Sequence, residues 1–352
     1  MSSRGTIFIA SDFILDEPWL AEIAAALTQR GYEVIHGPTQ KPPKRTEFAR
    51  EDWDRFFGRT DIILSTVRSI YPTEIFDHAP RVRGIVFPTI GTECVDLEAA
   101  GKIGIIVAHG PTPQNFNSMG ESTVLLMLAM MYDLHGTEDV LRINTPRPKL
   151  CRARMMMGKT VGLIGLGRIA RSVVERLSGW GVRILATNRS MSTAHVPPGV
   201  ELVTLEELMR QSDIVSLHAT LTPETRHMVG AGQLALMKPD AYLINTARGG
   251  LIDDDALLDA LRTQRIAGAA LDTFEIEPLP MDSPLRQMDN VILTPHMVGH
   301  TQEIYTAITP TALENIERIM RGDMPLYCRN PDTEAAWRAR LARLARQPEG
   351  CF

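Results

Sequence analysis

Short apolar runs rich in β-formers alternate with longer stretches of helical pattern, and this rhythm occurs in two blocks along the chain. In the first block, strands are predicted at Thr6–Ala10, Glu33–His36, Asp61–Ser65, Gly84–Phe87 and Gly104–Val107, with helical segments such as Pro18–Arg30 between them. That order implies a parallel sheet with helices on its faces. A long helical pattern begins near Ser118, with Leu125, Leu126 and Leu128 among its apolar positions. The proline- and arginine-rich segment Thr145–Met157 reads as a loop. The second block has strands at Thr160–Ile164, Arg183–Thr187, Ile214–His218, Ala241–Asn245, Ala267–Asp272 and Val291–Leu293. A final helix is predicted over Thr306–Arg321. In the tail, Trp337, Leu341 and Leu344 share one face of a short helix within 333–346, expected to cap the first domain.

The chemistry is concentrated where strands of the second block end. Thr160–Ala170 is a short strand, a glycine turn through Gly165 and Gly167, and the start of a helix. Glycines there let the backbone approach a pyrophosphate, whose charge is received by free N–H groups at a helix N-terminus. A Gly-x-Gly pair alone is weak, but strand, turn and helix arrive in order and five further strands follow, the strand count of a full dinucleotide fold. Arg248 follows a later strand between Ala247 and Gly249, where a guanidinium can hold a carboxylate through two parallel hydrogen bonds. The next strand leads into Asp272, Glu275, Glu277 and Pro278, and the last into Thr294-Pro295-His296. A histidine in a carboxyl-end loop, with acids one strand earlier, is a candidate general acid, because an adjacent carboxylate favours the imidazolium form.

Composition narrows the class. The 352 residues are 44% hydrophobic and 22% charged, with a net charge of −5, the balance of an ordinary globular protein with room for two domains. That charge gives no general attraction to nucleic acid or an anionic membrane. Arg338, Arg340, Arg343 and Arg346 read as a solvated helix face. The four cysteines, Cys94, Cys151, Cys328 and Cys351, lack metal-ligand spacing, so no metal is expected and the thiols are expected to be reduced. The N-terminus lacks a signal-peptide stretch and the most apolar helix is too short for a bilayer. A soluble, cytoplasmic protein is expected.

With these segments in view, the chain resembles the D-isomer-specific 2-hydroxyacid dehydrogenase family from about residue 61 to about residue 325. The matching segments are Gly91 with Val95–Ala100, Asn115–Thr123, Gly165–Ala170, Leu221–Thr225, the Arg248 loop, Asp272–Pro278 and Thr294–His296. The resemblance implies an α/β chain of two Rossmann-like or flavodoxin-like domains with parallel sheets. A cofactor domain, 118–296, is inserted into a substrate domain made of 1–117 and 297–352. It implies hydride transfer between NAD(P)H and a small 2-oxo or 2-hydroxy acid of the D series. His296 resembles the acid/base, Glu277 the carboxylate that orients it, and Arg248 the substrate-binding arginine. The amides of Ile90 and Gly91 match those that help hold the substrate carboxylate. Asp272 resembles the residue holding the nicotinamide carboxamide, and Thr123, Arg168, Ile169 and Ala247 fall where the family contacts cofactor.

Departures refine the expectation. After the second strand of the nucleotide fold stand Asn188, Arg189 and Ser190, where NAD-preferring members carry an acid that would repel a 2′-phosphate. Use of NADP(H) at least as well as NAD(H) is therefore expected. Ala170 replaces the third fingerprint glycine, a tolerated change, and Thr220 stands where many members have proline. Glu277 distinguishes the chain from formate dehydrogenases, which carry glutamine. With the sequence ending soon after the last helix, the regulatory domain of longer phosphoglycerate dehydrogenases is not expected. The alternative reading is an NAD(H)-binding corepressor-like protein. The Ser118 helix and the Thr145–Met157 loop, with Met155, Met156 and Met157, resemble the arm that builds twofold dimers, so a homodimer is expected. Side-chain selectivity is expected from Ser11–Trp19, Thr66–Tyr71, Phe87–Thr92 and the stretch after His296, while His300 is expected to be structural or solvent-facing.

Overall fold

The computed structural model describes residues 3–10, 18–38, 46–146, 152–189 and 196–346; Ser190, residues 11–17, residues 147–151 and Cys351 lie outside them. The first elements in chain order are β1 (Thr6–Ile9), α1 (Pro18–Gln29), β2 (Glu33–His36), α2 (Trp53–Phe57), β3 (Ile62–Leu64), β4 (Gly84–Val86), α3 (Leu97–Lys102) and β5 (Ile106–Ala108). Then come α4 (Pro113–Met131), α5 (Leu134–Arg142), β6 (Thr160–Ile164), α6 (Arg168–Leu177), β7 (Arg183–Thr187) and β8 (Val200–Leu202). They are followed by α7 (Leu205–Gln211), β9 (Ile214–Leu217), α8 (Ala231–Leu236), β10 (Tyr242–Asn245), α9 (Asp254–Arg262), β11 (Gly268–Leu271) and β12 (Val291–Leu293). The chain closes with α10 (Gln302–Arg321) and α11 (Glu334–Leu344). Two compact units result: Met1–Gln114 with Thr301–Phe352, and Asn115–His300.

The first unit is a five-stranded parallel sheet in the order β2-β1-β3-β4-β5. Alternate residues of each strand feed opposite faces, as a two-residue side-chain period demands. Ile7, Ile9, Ile62 and Leu64 pack with α1, α10 and Trp337, whereas Phe8 and Ile63 join an aromatic layer of Phe48, Phe56, Phe57 and Tyr71. Ring centroids in that layer lie 4.9–6.4 Å apart, mostly edge to face.

The second unit is a seven-stranded parallel sheet, β12-β11-β10-β9-β6-β7-β8. It too is buried on both faces. Val215, Leu217, Leu243 and Leu271 enter one core and Ile214, Ile244 and Ala270 the other. Both sheets are α/β layers of the expected kind. No helix among the described residues is long and apolar enough to cross a membrane.

Four details differ from expectation. The nucleotide sheet has seven strands rather than six, because Val200–Leu202 adds an edge strand to β7; three residues of modest hydrophobicity carry too little pattern to be read. The long helix starts at Pro113 rather than Ser118, with proline's fixed φ suiting a first helical position. A separate helix, α5, follows a break at Asp133, whose φ is 49°. The fourth is Arg340, which is not on a solvated face. It is 9% exposed and donates to the carbonyls of Val82 (2.7 Å), Ile103 (3.2 Å), Ala79 (2.9 Å) and Pro80 (3.0 Å). Those carbonyls lie outside the sheet ladder, and a guanidinium has five donors to offer them. Burial, then the Arg343 charge, brings Arg340 down to about 10, so it stays protonated at neutral pH.

Beside it, Trp337 is fully buried and its Nε1–H donates to Arg83 O at 2.8 Å. The tail helix is thus part of the first unit's core. Arg340→Met removes the donor from four carbonyls, of which only Ala79 O keeps another, the Val82 N–H at 3.2 Å, and is expected to lower unfolding free energy by about 3 kcal/mol. Arg343→Met, on the exposed side, should change it by less than about 0.5 kcal/mol. Urea denaturation of both variants measures the difference, and equal effects would contradict it.

Candidate active site

Strand order decides where the reactive residues meet. The chain builds β6, β7 and β8 outward in one direction, then crosses back to place β9, β10, β11 and β12 on the other side of β6. Loops at the carboxyl ends of β6 and β9 therefore diverge, leaving the crevice in which open α/β sheets bind ligands. Gly165 sits at that switch with φ of 97°, and a Cβ there would lie 2.7 Å from His218 O. Only glycine supplies both the left-handed conformation and the close strand contact. Gly167, at the N-cap of α6, is exposed with open space around it and no side-chain cap on the helix. The first-turn N–H groups lack intrahelical partners, and the turn has room for a phosphate. These features fit a dinucleotide. Arg168 is exposed, Ile169 half-buried, and on β7's exit Asn188 is half-buried and Arg189 exposed; Ser190 is outside the described residues.

Three neighbouring strands carry the other candidates: Arg248 after β10, Asp272 and Glu277 after β11, and His296 after β12. From β6 to β11 is three strand spacings, about 14 Å, which a dinucleotide lying across the strand ends bridges. His296 Nδ1 lies 3.1 and 3.0 Å from the two oxygens of Glu277. Glu277 also accepts from Phe274 N–H at 3.1 Å. Burial pushes the Glu277 carboxyl up. The hydrogen bond and charge of His296, the Phe274 N–H and the charge of Arg248 outweigh burial and hold it below the ordinary value of 4.5. Glu277 is therefore a carboxylate at neutral pH, aimed at the imidazole.

His296 itself sits at φ 59°, in the left-handed region. Its turn is held by Asp272, only 1% exposed, whose Oδ1 accepts from Thr294 Oγ1 (2.7 Å), Met297 N–H (2.9 Å) and Val298 N–H (3.1 Å). Burial raises the Asp272 carboxyl; these hydrogen bonds and the charge of His296 oppose the rise. Sequence reading singled out Asp272 for the cofactor and did not anticipate this brace. Two aligned amides and a hydroxyl converge on one oxygen through tertiary placement, which no local motif encodes.

The Arg248 loop is organised by Asn245, fully buried at the end of β10. Its Nδ2 donates to Arg248 O at 2.9 Å and its Oδ1 accepts from Ala247 N–H at 3.0 Å. Arg248 NH1 donates to Ala247 O at 2.7 Å. Thr123 is fully buried, with its hydroxyl on Met119 O (2.7 Å) and 3.2 Å from the Thr246 hydroxyl, tying α4 to this loop. In the other unit, Ile90 and Gly91 follow β4, half-buried and buried respectively. The loop is supported by His109 Nδ1, 2.9 Å from Ile90 O, and by Arg329 Nε donating to Thr92 Oγ1 at 3.3 Å.

Comparison with known proteins agrees with this architecture. The family profile described as D-isomer specific 2-hydroxyacid dehydrogenase, NAD binding domain, matches residues 124–298. A glyoxylate reductase of Thermofilum pendens is 37% identical over 298 residues, 83% of this chain and 86% of that protein. A D-3-phosphoglycerate dehydrogenase of Methanocaldococcus jannaschii is 39% identical over 75% of this chain, which spans 50% of that protein. The solved structure of an acyclic imino acid reductase in complex with NADPH and D-arginine is 27% identical, with a TM-score of 0.77 over 92% of this chain and 99% of its own. Relatives named as reductases and dehydrogenases favour an enzyme over a corepressor. By sequence and by structure, the chain belongs to the D-isomer specific 2-hydroxyacid dehydrogenase family, oxidoreductases that act with a nicotinamide cofactor on the CH–OH group of 2-hydroxy acids.

Proposed function

We propose that this protein reduces a small 2-oxo acid to the D-2-hydroxy acid, reversibly, with His296 as acid/base. The observation that carries this reading is the hydrogen-bonded pair of His296 Nδ1 with both oxygens of Glu277. With Nδ1–H given to the carboxylate, Nε2–H remains to donate its proton to the substrate carbonyl oxygen and to take it back in oxidation. Glu277 orients the ring and stabilises its protonated form. Arg248 binds the substrate carboxylate through two hydrogen bonds. The cofactor, when bound, supplies or accepts the hydride at substrate C2. In this proposal 118–296, within the unit Asn115–His300, is the cofactor domain. Gly165, Gly167, Arg168 and Ile169 hold the pyrophosphate, Thr123 and Ala247 are also assigned to the cofactor, and Asp272 receives the carboxamide. The remaining unit carries substrate selectivity.

Turnover of glyoxylate, hydroxypyruvate, pyruvate and bulkier 2-oxo acids with NADPH or NADH tests the reading. His296→Ala is expected to lower kcat by about 10²- to 10⁴-fold with dinucleotide binding retained. An unchanged kcat would refute the acid/base assignment.

NADP(H) is assigned as a cofactor used at least as well as NAD(H), through Asn188, Arg189 and Ser190. Glu224, on the loop after β9, is held below its ordinary value first by the Thr222 hydroxyl, then by its own N–H, and also by the charge of Arg189. Arg189→Asp is expected to raise the NADPH KM roughly 10-fold or more, the worth of one charge-assisted hydrogen bond, and to leave the NADH KM unchanged or lower. Equal KM values for NADPH in the two proteins would remove the assignment.

A homodimer is proposed through the helical arm of the second unit. Tyr132, Leu134, Leu141, Met155 and Met157 are exposed there, while Met156 is already in the core. An apolar surface of that kind on one unit marks an interaction site. Light scattering at micromolar concentration is expected to return twice the 39.1 kDa chain mass; a monomeric mass would exclude it.

A further inference from the structure

Glu277 is not the only carboxylate of its loop that faces a histidine. Two residues earlier, Glu275 Oε2 lies 3.2 Å from His227 Nε2, and its Oε1 accepts from Arg226 NH2. Arg226 and His227 belong to the loop after β9, which four hydrogen bonds among Thr220, Thr222, Thr225 and Arg226 fold tightly on itself. His227, like His296, is a non-glycine residue in the left-handed region, at φ 53°. That conformation costs about 1 kcal/mol and persists where surrounding contacts fix it. Here the His227 N–H donates to Gly250 O at 2.8 Å, so the backbone that sets its side chain toward Glu275 is anchored to the Arg248 loop.

The Arg248 loop also lies close against the other two, backbone to backbone on one side and against the Leu221 and Arg226 side chains on the other. A Cβ on Gly249 would overlap the Phe274–Glu275 peptide, and one on Gly250 would come within 3.5 Å of Arg226 NH1. Asp254, at the start of α9, is raised by burial and then by the charge of Glu275, so the cluster is bounded by a second acid. Arg226, His227 and Glu275 are 53%, 38% and 25% exposed. Ion pairs this wet contribute little to global stability. What they do restrict is the position of the loop whose far end carries Glu277.

We propose that Arg226 and His227, through Glu275, position the Glu277 loop against the Arg248 loop, and so set the alignment of Glu277 on His296. Glu275 is a positioning residue and touches neither substrate nor cofactor. This inference rests on the acid/base reading of His296. The groups acting on that imidazole are Glu277 and Asp272, and Arg248 acts on Glu277; a displaced Glu277 loop changes the first of these.

The test is kcat/KM against pH for the full-length protein with its best 2-oxo acid, for wild type, Glu275→Gln, Arg226→Ala, the double variant, Arg226→Lys and His296→Ala. Glu275→Gln is expected to lower kcat about 10-fold, since small misplacements near reacting groups are costly, with KM for the dinucleotide unchanged and the melting temperature preserved. Its pH profile should differ from that of the wild type, because the carboxylate facing the imidazole is displaced. Arg226→Ala should reproduce that profile from the other side of the pair, and the double variant should lose no more than either single one. Arg226→Lys should recover most of the loss. A wild-type pH profile in Glu275→Gln, or additive losses in the double variant, overturns the inference. An unchanged kcat in His296→Ala overturns the acid/base reading instead, so the two failures are separable.

Discussion

The crossover of the parallel sheet from β8 back to β9 is the constraint on which the second unit depends. It puts β6 beside β9 while their loops leave in opposite directions, and it brings the Gly165 backbone against the His218 carbonyl. A side chain at Gly165 would collide with the His218–Ala219 backbone. Because β10, β11 and β12 extend the same side of the sheet, their carboxyl-end loops stand in a row beyond that crevice. Arg248, Glu277 and His296 are far apart in sequence and adjacent because of this order alone.

Within that row, burial is used to build geometry. Asp272 is nearly inaccessible, and a buried carboxyl is costly unless satisfied. Its Oδ1 receives two backbone N–H groups and the Thr294 hydroxyl, all from the turn that carries His296. The left-handed backbone of His296 is the consequence of that convergence. Asn245 performs the equivalent service for the Arg248 loop with both ends of its amide. These two fully buried polar residues hold the functional turns, whereas the ion pairs at the periphery are solvated and act by restricting loop position.

The first unit solves a different problem. Its strands β1, β3, β4 and β5 are buried on both faces, one beneath α1, α10 and α11 and the other beneath a layer of aromatic rings. The segment after residue 300 returns to this sheet, and its last helix inserts Trp337 and Arg340 where the turns near Val82 and Ile103 leave carbonyls unpaired. The tail thereby completes a core made mostly by the opposite end of the chain.

The sequence by itself determined the α/β class, most of the strands, the glycine turn and the candidates Arg248 and His296, since each rests on local pattern: apolar runs, a glycine spacing, reactive residues just past strand ends; Glu277 was separated from Asp272 and Glu275 only by the family resemblance. It could not determine the seventh strand, because Val200–Leu202 has almost no pattern of its own and is defined by its pairing with β7. It misassigned Arg340, because an arginine on a helix looks solvated until the carbonyls it must satisfy are known. The brace at Asp272 and the contacts of Glu275 with Arg226 and His227 were also decided only in three dimensions. Local propensity depends on neighbours in sequence, whereas hydrogen-bond satisfaction and burial depend on partners that the strand order brings from 22 to 261 residues away.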